Sequence, residues 1–396
     1  MNVVTGLAFC AIAQSACAQA EGTPRLKDVY KDDFVVGTCI SNAQLDGTEP
    51  KRLALAAEQF NAITPENCLK WALVHPEPDK YDFERADKYV EFGEKNGMFI
   101  VGHNFVWHNQ TPKWIFEDKD GKPADRDTVL ARLKEHIQTV MGRYKGRIKG
   151  WDVVNEAIDD NGHMRQTNWM KTVGPDYIEK AFQYAHETDP DAELYYNDFK
   201  LYMPAKRKAA IALVKRLKAK GLRVDAIGEQ VHWDLKYPSI ADAETTINEL
   251  AAVTGKIMIT EMDIDVLPAP DPELAGNADI SRTYESRKEY DPYAKGLTDE
   301  VQQKLAARYA ELFQLFHKHR DVIKRVTLWG TDDGTSWLNT WPVTKRTSYP
   351  LLFDRDLKPK PAFDAVILVG SQKWVVVGNS ARIDHHGTTC TTQGKL

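Results

Sequence analysis

The sequence predicts an α/β protein built as a single (β/α)8 TIM barrel, and three observations predict it. Strand-like apolar runs alternate with amphipathic helical stretches from end to end. Eight such runs occur with no linker-like stretch between them. Polar residues follow nearly every run, whereas a doubly wound open sheet gathers them at one switch point. That rival, an open sheet with a second domain, is further disfavoured because the chain has no G-x-G-x-x-G or Walker-type loop.

The expected strands are Phe34–Ile40, Ala62–Pro65, Phe99–Phe105, Gly150–Glu156, Glu193–Asp198, Ala226–His232, Lys256–Glu261 and Arg325–Gly330. Between them, Leu130, Leu133, Ile137, Val140, Met141 and Tyr144 recur at helical spacing, as do Val301, Leu305, Leu312 and Phe316. Pro175, Pro204 and Pro361 fall where first helical turns begin, and Gly97, Gly146 and Gly221 where helices end. Two regions break the rhythm. Asp265–Leu297 is a long connection after the seventh strand, rich in Pro and Tyr, and connections of this length are usually functional or disordered. Residues 370–396 read as an irregular tail, in which His385 and His386 are an incidental pair rather than a metal site.

At 396 residues the chain is long enough for one large domain; 21–369 is assigned to the barrel. The net charge of -5 argues against nucleic acid as a partner. Residues 1–20 resemble a secretory leader: Val3 to Ala13 is mostly apolar but too short to span a membrane, and Ala18-Gln19-Ala20 fits a cleavage site. The lack of Lys or Arg before the apolar run weakens that reading. Lipid attachment at Cys17 is the alternative, but Gln14 fits it poorly. No later segment is long and apolar enough to be a transmembrane helix. The expectation is a secreted monomer without a cofactor. No C-x-x-C or H-E-x-x-H pattern suggests zinc, and Cys39 and Cys68 are read as buried thiols, with a disulfide as the alternative.

Two strand-like runs end in glutamates, Glu156 and Glu261. A buried strand favours apolar, β-branched residues, so a carboxylate at its tip is a local conflict, and such conflicts gather at functional sites. In a barrel every strand C-terminus faces one mouth. By strand, that mouth would receive Glu66, Asn67 and Lys70; His103, Trp107, His108 and Gln110; Asn155 and Glu156; Asn197 and Asp198; Gln230 and His232; Glu261 and Asp263; and Trp329 and Trp337. Carboxylates, amides and indoles together suit hydroxyl groups and sugar faces. Trp71, Trp151 and Trp233 are left to the core or to a layer behind the site.

The order of motifs resembles glycoside hydrolase family 10, the β-1,4-xylanases, across residues 25 to 368. The matching segments are Asn61–Trp71, Gly102–Pro112, Trp151–Glu156, Tyr196–Asp198, Gly228–His232, Ile259–Asp263, Thr327–Gly330 and Ser336-Trp337. The resemblance implies retaining endo-hydrolysis of xylan, with Glu156 as acid/base and Glu261 as nucleophile. It also implies that His232, held by Asp263, supports the nucleophile. Glu66, Asn67, Lys70, His103 and Gln110 would bind the sugar on the non-reducing side, with Asn155 donating to its 2-hydroxyl. Trp107, Trp329 and Trp337 would wall the pocket, and Asn197 and Gln230 would support it. A retaining mechanism needs its carboxyls about 5–5.5 Å apart, one staying protonated and the other ionised.

Some residues depart from the family pattern. Phe199-Lys200 stands where Tyr-Asn is common, and Met262 where Leu is common; the latter conserves volume. Asn109-Gln110-Thr111 is a formal glycosylation sequon inside the expected cleft and is read as chance. The rival functions are a β-1,4-glucanase or mannanase on the same barrel, or a carbohydrate-binding barrel without activity.

Overall fold

The computed structural model describes residues 23–270, 284–371, 373–377 and 380–384. Eight parallel strands pair in sequence order: β1 Val35–Ile40, β2 Ala62–Pro65, β3 Phe99–Val106, β4 Gly150–Asn155, β5 Glu193–Asp198, β6 Ala226–Glu229 continued by His232–Asp234, β7 Ile257–Asp265 and β8 Ile323–Leu328. Glu229 pairs with Ile259 and Val35 with Arg325, so the sheet closes into a barrel and leaves no edge between these strands.

One principal helix follows each strand: α1 Pro50–Gln59, α2 Glu84–Lys95, α3 Arg126–Arg143, α4 Tyr177–Thr188, α5 Pro204–Ala219, α6 Ile240–Thr254, α7 Asp299–Lys318 and α8 Pro361–Ser371. Local chemistry sets their ends. The Asp125 side chain caps α3 by accepting from Thr128 N at 2.7 Å. Pro204 and Pro361 open α5 and α8 as expected, whereas Pro175 stands two residues before α4, behind the N-cap Asp176. Gly146, just beyond α3, has φ 76°, a left-handed conformation that glycine adopts without steric cost.

Three buried apolar clusters result. Leu338 and Trp341, after β8, form one of them. The largest lies between strands and helices and contains the fully buried Trp71, Trp151 and Trp169. A small cluster of Tyr195, Ala226 and Met258 fills the barrel, with the Arg325 guanidinium 5.3 Å from the Tyr195 ring centre. Gly102 on β3 gives Trp151 its room: a Cβ there would sit 2.0 Å from the indole, which stacks on Phe105 at 4.3 Å. Gly102→Ala is expected to destabilise the fold by about 1–3 kcal/mol through overpacking. A urea unfolding midpoint equal to that of the parent protein would contradict this account.

Three expectations change in the structure. β7 does not stop at Glu261 but runs on to Asp265, because His232–Asp234 pairs with Asp263–Asp265 and extends the sheet. The tail is not wholly irregular: the β-branched run Lys373–Val377 (β9) pairs antiparallel with Ser380–Asp384 (β10). Of the long connection after β7, Asp265 belongs to the strand and Tyr284 bridges Val343. Cys39 and Cys68 are free, buried thiols, and Trp71, Trp151 and Trp233 are all buried. The leader at 1–20, residues 271–283 and the His385-His386 pair lie outside the described residues. Among those described, no helix is long and apolar enough to cross a membrane.

Candidate active site

The strand C-termini surround a cavity of about 250 Å³. Glu66, Asn67, Lys70, His103, Trp107, Gln110, Asn155, Glu156, His232, Glu261, Trp329 and Trp337 all line it. Asn197, Gln230 and Asp263 stand behind this lining and hold it in place.

Strict alternation along a strand would send neighbouring residues to opposite faces. At the mouth the alternation breaks in three places. Glu156 has φ 56°, which lets it and Asn155 both reach Gln230. Val231 has φ 62°, unusual for a β-branched residue, and both of its neighbours, Gln230 and His232, reach the site. On β7 the register with β8 shifts between Ile259 and Met262, so Thr260 and Glu261 both contact Asn197. Backbone conformations of this kind persist only where the surroundings impose them, and they cluster at functional sites.

One amide relay joins the two glutamates. Glu156 Oε1 accepts from Gln230 Nε2 at 3.0 Å and from Asn155 Nδ2 at 3.1 Å. Its Oε2 accepts from Trp107 Nε1 at 2.7 Å. Asn155 Oδ1 accepts from Asn197 Nδ2 at 2.9 Å, and the same Nδ2 donates to Glu261 Oε1 at 2.8 Å. Glu261 Oε2 lies 3.2 Å from His232 Nε2. His232 Nδ1 in turn lies 3.0 Å from Asp263 Oδ1, though the oxygen is off the N–H axis.

Electrostatics separate the pair. Burial raises the Glu156 carboxyl; its donors from Gln230 and Trp107 pull the other way, and the Glu261 charge adds to the rise. Burial alone would raise Glu261 as well, but the His232 hydrogen bond, the His103 and His232 charges and Asn197 bring it below the ordinary value. Burial alone would lower His232, but Asp263 and Glu261 hold it protonated, up to about 10. Two neighbouring carboxyls pushed apart in this way define an acid and a base.

On one flank Lys70 Nζ sits 3.4 Å from Asn67 Oδ1 and 4.7 Å from the centre of the Trp107 ring. Burial lowers the Lys70 ammonium and raises the neighbouring Glu66 carboxyl, while each opposes the other's shift. Gln110, at φ 47°, donates to Asn67 Oδ1 at 3.1 Å. His103 Nδ1 lies 2.9 Å from Asp152 Oδ2, which fixes its ring inside the barrel. The result is a rigid set of donors and acceptors beside indole faces, suited to sugar hydroxyls.

Asp198 does not join the mouth. It follows Asn197 on the opposite face of β5, where it pairs with the buried Lys206 of α5 at 3.0 Å and accepts from Tyr196 Oη at 2.6 Å. Lys200 turns away from open cleft as well: it is buried, 3.3 Å from Asp160. The structure adds residues that sequence reasoning passed over. Trp341 lines the cavity and stacks on Trp337 at 4.8 Å, and Thr340 lines it beside them. A Trp-Pro pair in an irregular segment gave only a weak signal of this. An adjoining cavity of about 490 Å³ shares His232, Trp337 and Trp341, and the connection after β7 lines it with Leu267, Pro268 and Tyr293. Among the described residues no group of His, Cys, Asp and Glu is placed to hold a metal ion.

A closed parallel barrel whose mouth carries two carboxyls, an amide relay and indole walls has the architecture of a barrel glycoside hydrolase. The chain belongs to glycosyl hydrolase family 10, whose model matches residues 25–369. It is 47% identical over 350 residues to endo-1,4-beta-xylanase A of Xylanibacter ruminicola, covering 88% of this chain and 94% of that one. To a beta-1,4-xylanase of Dictyoglomus thermophilum it is 41% identical over 346 residues, covering 87% and 90%. Among solved structures, a family 10 endoxylanase retrieved from sugarcane soil metagenome superposes with a TM-score of 0.85 at 46% identity, covering 87% of this chain and 99% of that one. A xylanase from Paenibacillus barcinonensis superposes with a TM-score of 0.78 at 38% identity, covering 88% and 99%.

Proposed function

We propose that the protein is a retaining endo-β-1,4-xylanase in which Glu261 is the nucleophile and Glu156 the acid/base. The observation that carries this reading is the amide relay that holds two buried carboxyls at one mouth with their proton affinities driven apart. Family membership and the activity named for its relatives support the choice of xylan.

In the first step a Glu261 oxygen attacks the anomeric carbon while Glu156 gives its proton to the departing glycosidic oxygen. The bond to the leaving chain breaks and a glycosyl ester on Glu261 forms. That ester carries no charge, so the pKa of Glu156 falls, and Glu156 can take a proton from the water that releases the sugar. Asn155 keeps a second Nδ2 hydrogen for the sugar 2-hydroxyl, a contact that strengthens in the transition state. Glu66, Asn67, Lys70, His103 and Gln110 bind the sugars on the non-reducing side. The adjoining cavity gives a long chain room beyond the reacting unit, as internal cleavage requires.

Incubation with purified xylan, β-glucan and mannan, with the anomer of the first product followed by NMR, tests the assignment. The expected result is xylo-oligosaccharides released with the β configuration; α products, or a preference for glucan or mannan, would overturn it.

Xylose lacks the hydroxymethyl group of glucose, and an indole occupying that space rejects glucose by clash. We assign this wall to Trp329 and Trp337. Trp329→Ala is expected to raise the ratio of glucoside to xyloside activity, on the order of tenfold. An unchanged ratio of kcat/KM values for paired aryl glycosides would remove Trp329 from this role.

We also read residues 1–20 as a leader that exports a monomeric enzyme, on the strength of the short apolar run and the Ala18-Gln19-Ala20 site. The mass and sedimentation of the exported product test both points; an intact N-terminus or a stable dimer would contradict them.

A further inference from the structure

The network behind Glu261 does not end at His232. Asp263 is buried and both of its oxygens are engaged. Oδ1 lies 3.0 Å from His232 Nδ1, and Oδ2 accepts the Trp337 indole N–H at 2.7 Å. The Trp337 ring centre is 4.9 Å from that of His232, and the same indole lines the sugar cavity. Trp337 opens a 3-10 turn, Trp337–Asn339, capped by the Ser336 hydroxyl, so its position is fixed by the backbone. Contacts therefore run without a gap from the wall of the pocket to an oxygen of Glu261.

We propose that Trp337 is a positioning residue for the nucleophile: its indole N–H fixes Asp263, and Asp263 holds the His232 imidazolium against Glu261. The proposal rests on reading Glu261 as the nucleophile. Its physics follows from the off-axis meeting of Asp263 and His232. A contact of that kind depends on charge and on where the carboxylate is held, and Trp337 holds it. A buried carboxylate that loses a donor becomes more basic, so the proton on His232 Nδ1 drifts toward it. Glu261 then faces less positive charge and binds its own proton more tightly.

The other charged or titratable groups near Glu261 are His103, Lys70, Glu156 and Cys39. A change at position 337 removes none of them, and it leaves the Asn197 donor in place. The effect of the indole N–H can therefore be isolated. Trp341 provides the comparator. It lines the same cavity and stacks on Trp337, yet its indole N–H makes no hydrogen bond among the described residues.

The experiment compares the parent enzyme with Trp337→Phe and Trp341→Phe. Two quantities are read: the acid limb of kcat/KM on a xylo-oligosaccharide, and the titration of the Glu261 carboxyl by carbon NMR without substrate. Trp337→Phe is expected to move both upward by about half a pH unit or more, roughly a threefold change in the ionisation constant. Trp341→Phe is expected to change KM while the acid limb stays in place. Trp337→benzothienylalanine keeps the bicyclic wall without the N–H and should reproduce the shift with KM nearly unchanged; it also serves if phenylalanine loosens the turn. Parent-like titration of Glu261 in both position-337 variants, with only KM raised, would reduce Trp337 to a wall and overturn the proposal. The NMR arm needs no turnover, so it reports on the coupling even if Glu261 proved not to be the nucleophile.

Discussion

Glu261→Ala is expected to lower turnover of xylan by roughly 10^4-fold or more, the scale seen when a covalent nucleophile is removed. The loss should fall on kcat, because the residues proposed to bind the sugar after β2 and along and after β3 are untouched. The geometry makes a sharper prediction with azide present. Removing the Glu261 side chain opens a space beside Asn197 and the His232 imidazolium, on the face of the sugar from which the carboxylate attacks. Azide fits that space and its charge suits the imidazolium. Attack there is a single displacement with Glu156 still supplying the proton, so the product is the α-glycosyl azide. Formation of the β-azide, or turnover close to that of the parent enzyme, would show that Glu261 is not the attacking group. The variant should fold, since Asp263 still neutralises His232 after Glu261 is gone.

The barrel could be read from the chain because most strands are short apolar runs followed by polar residues, and several of the helices between them carry proline start or glycine stop signals. The two glutamates stood out for the same reason: carboxylates conflict with the buried strands that lead to them. What could not be read is how neighbouring residues come to share one face. Period-two alternation places Asn155 and Glu156 on opposite sides of β4, and only the left-handed backbone at Glu156 brings them together. The same holds for Gln230 and His232 around Val231, and for Thr260 and Glu261 at the register shift. None of these residues is a glycine, so composition does not announce the special backbone. Asp198 shows the converse: where alternation does hold, a motif residue next to Asn197 belongs to the helix layer. Trp341 and the link from Trp337 to Asp263 depend on how the segment after β8 folds back over the mouth, which no local pattern encodes.

Glu156→Ala separates the two halves of the reaction, and its expected signature differs from that of any other substitution at the mouth. On xylan, whose leaving sugar needs a proton, turnover is expected to fall by roughly 10^2–10^4-fold. On an aryl xyloside that releases dinitrophenolate, the leaving group needs no proton, so glycosylation of Glu261 should remain fast. Release of the sugar then limits the rate, because no base activates water, and KM falls as the ester accumulates. Azide needs no base; it should accelerate release and give the β-azide, the outcome of two successive displacements. The pH profile carries the same information. In the parent enzyme Glu156 acts protonated, and burial and Glu261 raise its pKa, so activity should persist above the ordinary glutamate range before the basic limb falls. Glu261 acts ionised and its pKa is lowered, so the acid limb should lie below that range. Removing Glu156 should abolish the basic limb on the activated substrate and leave the acid limb in place, because Glu156 is protonated and uncharged across that range. A basic limb that survives in Glu156→Ala would transfer the acid/base role to another group, with the half-buried Glu66 and the buried Lys70 as titratable alternatives lining the cavity.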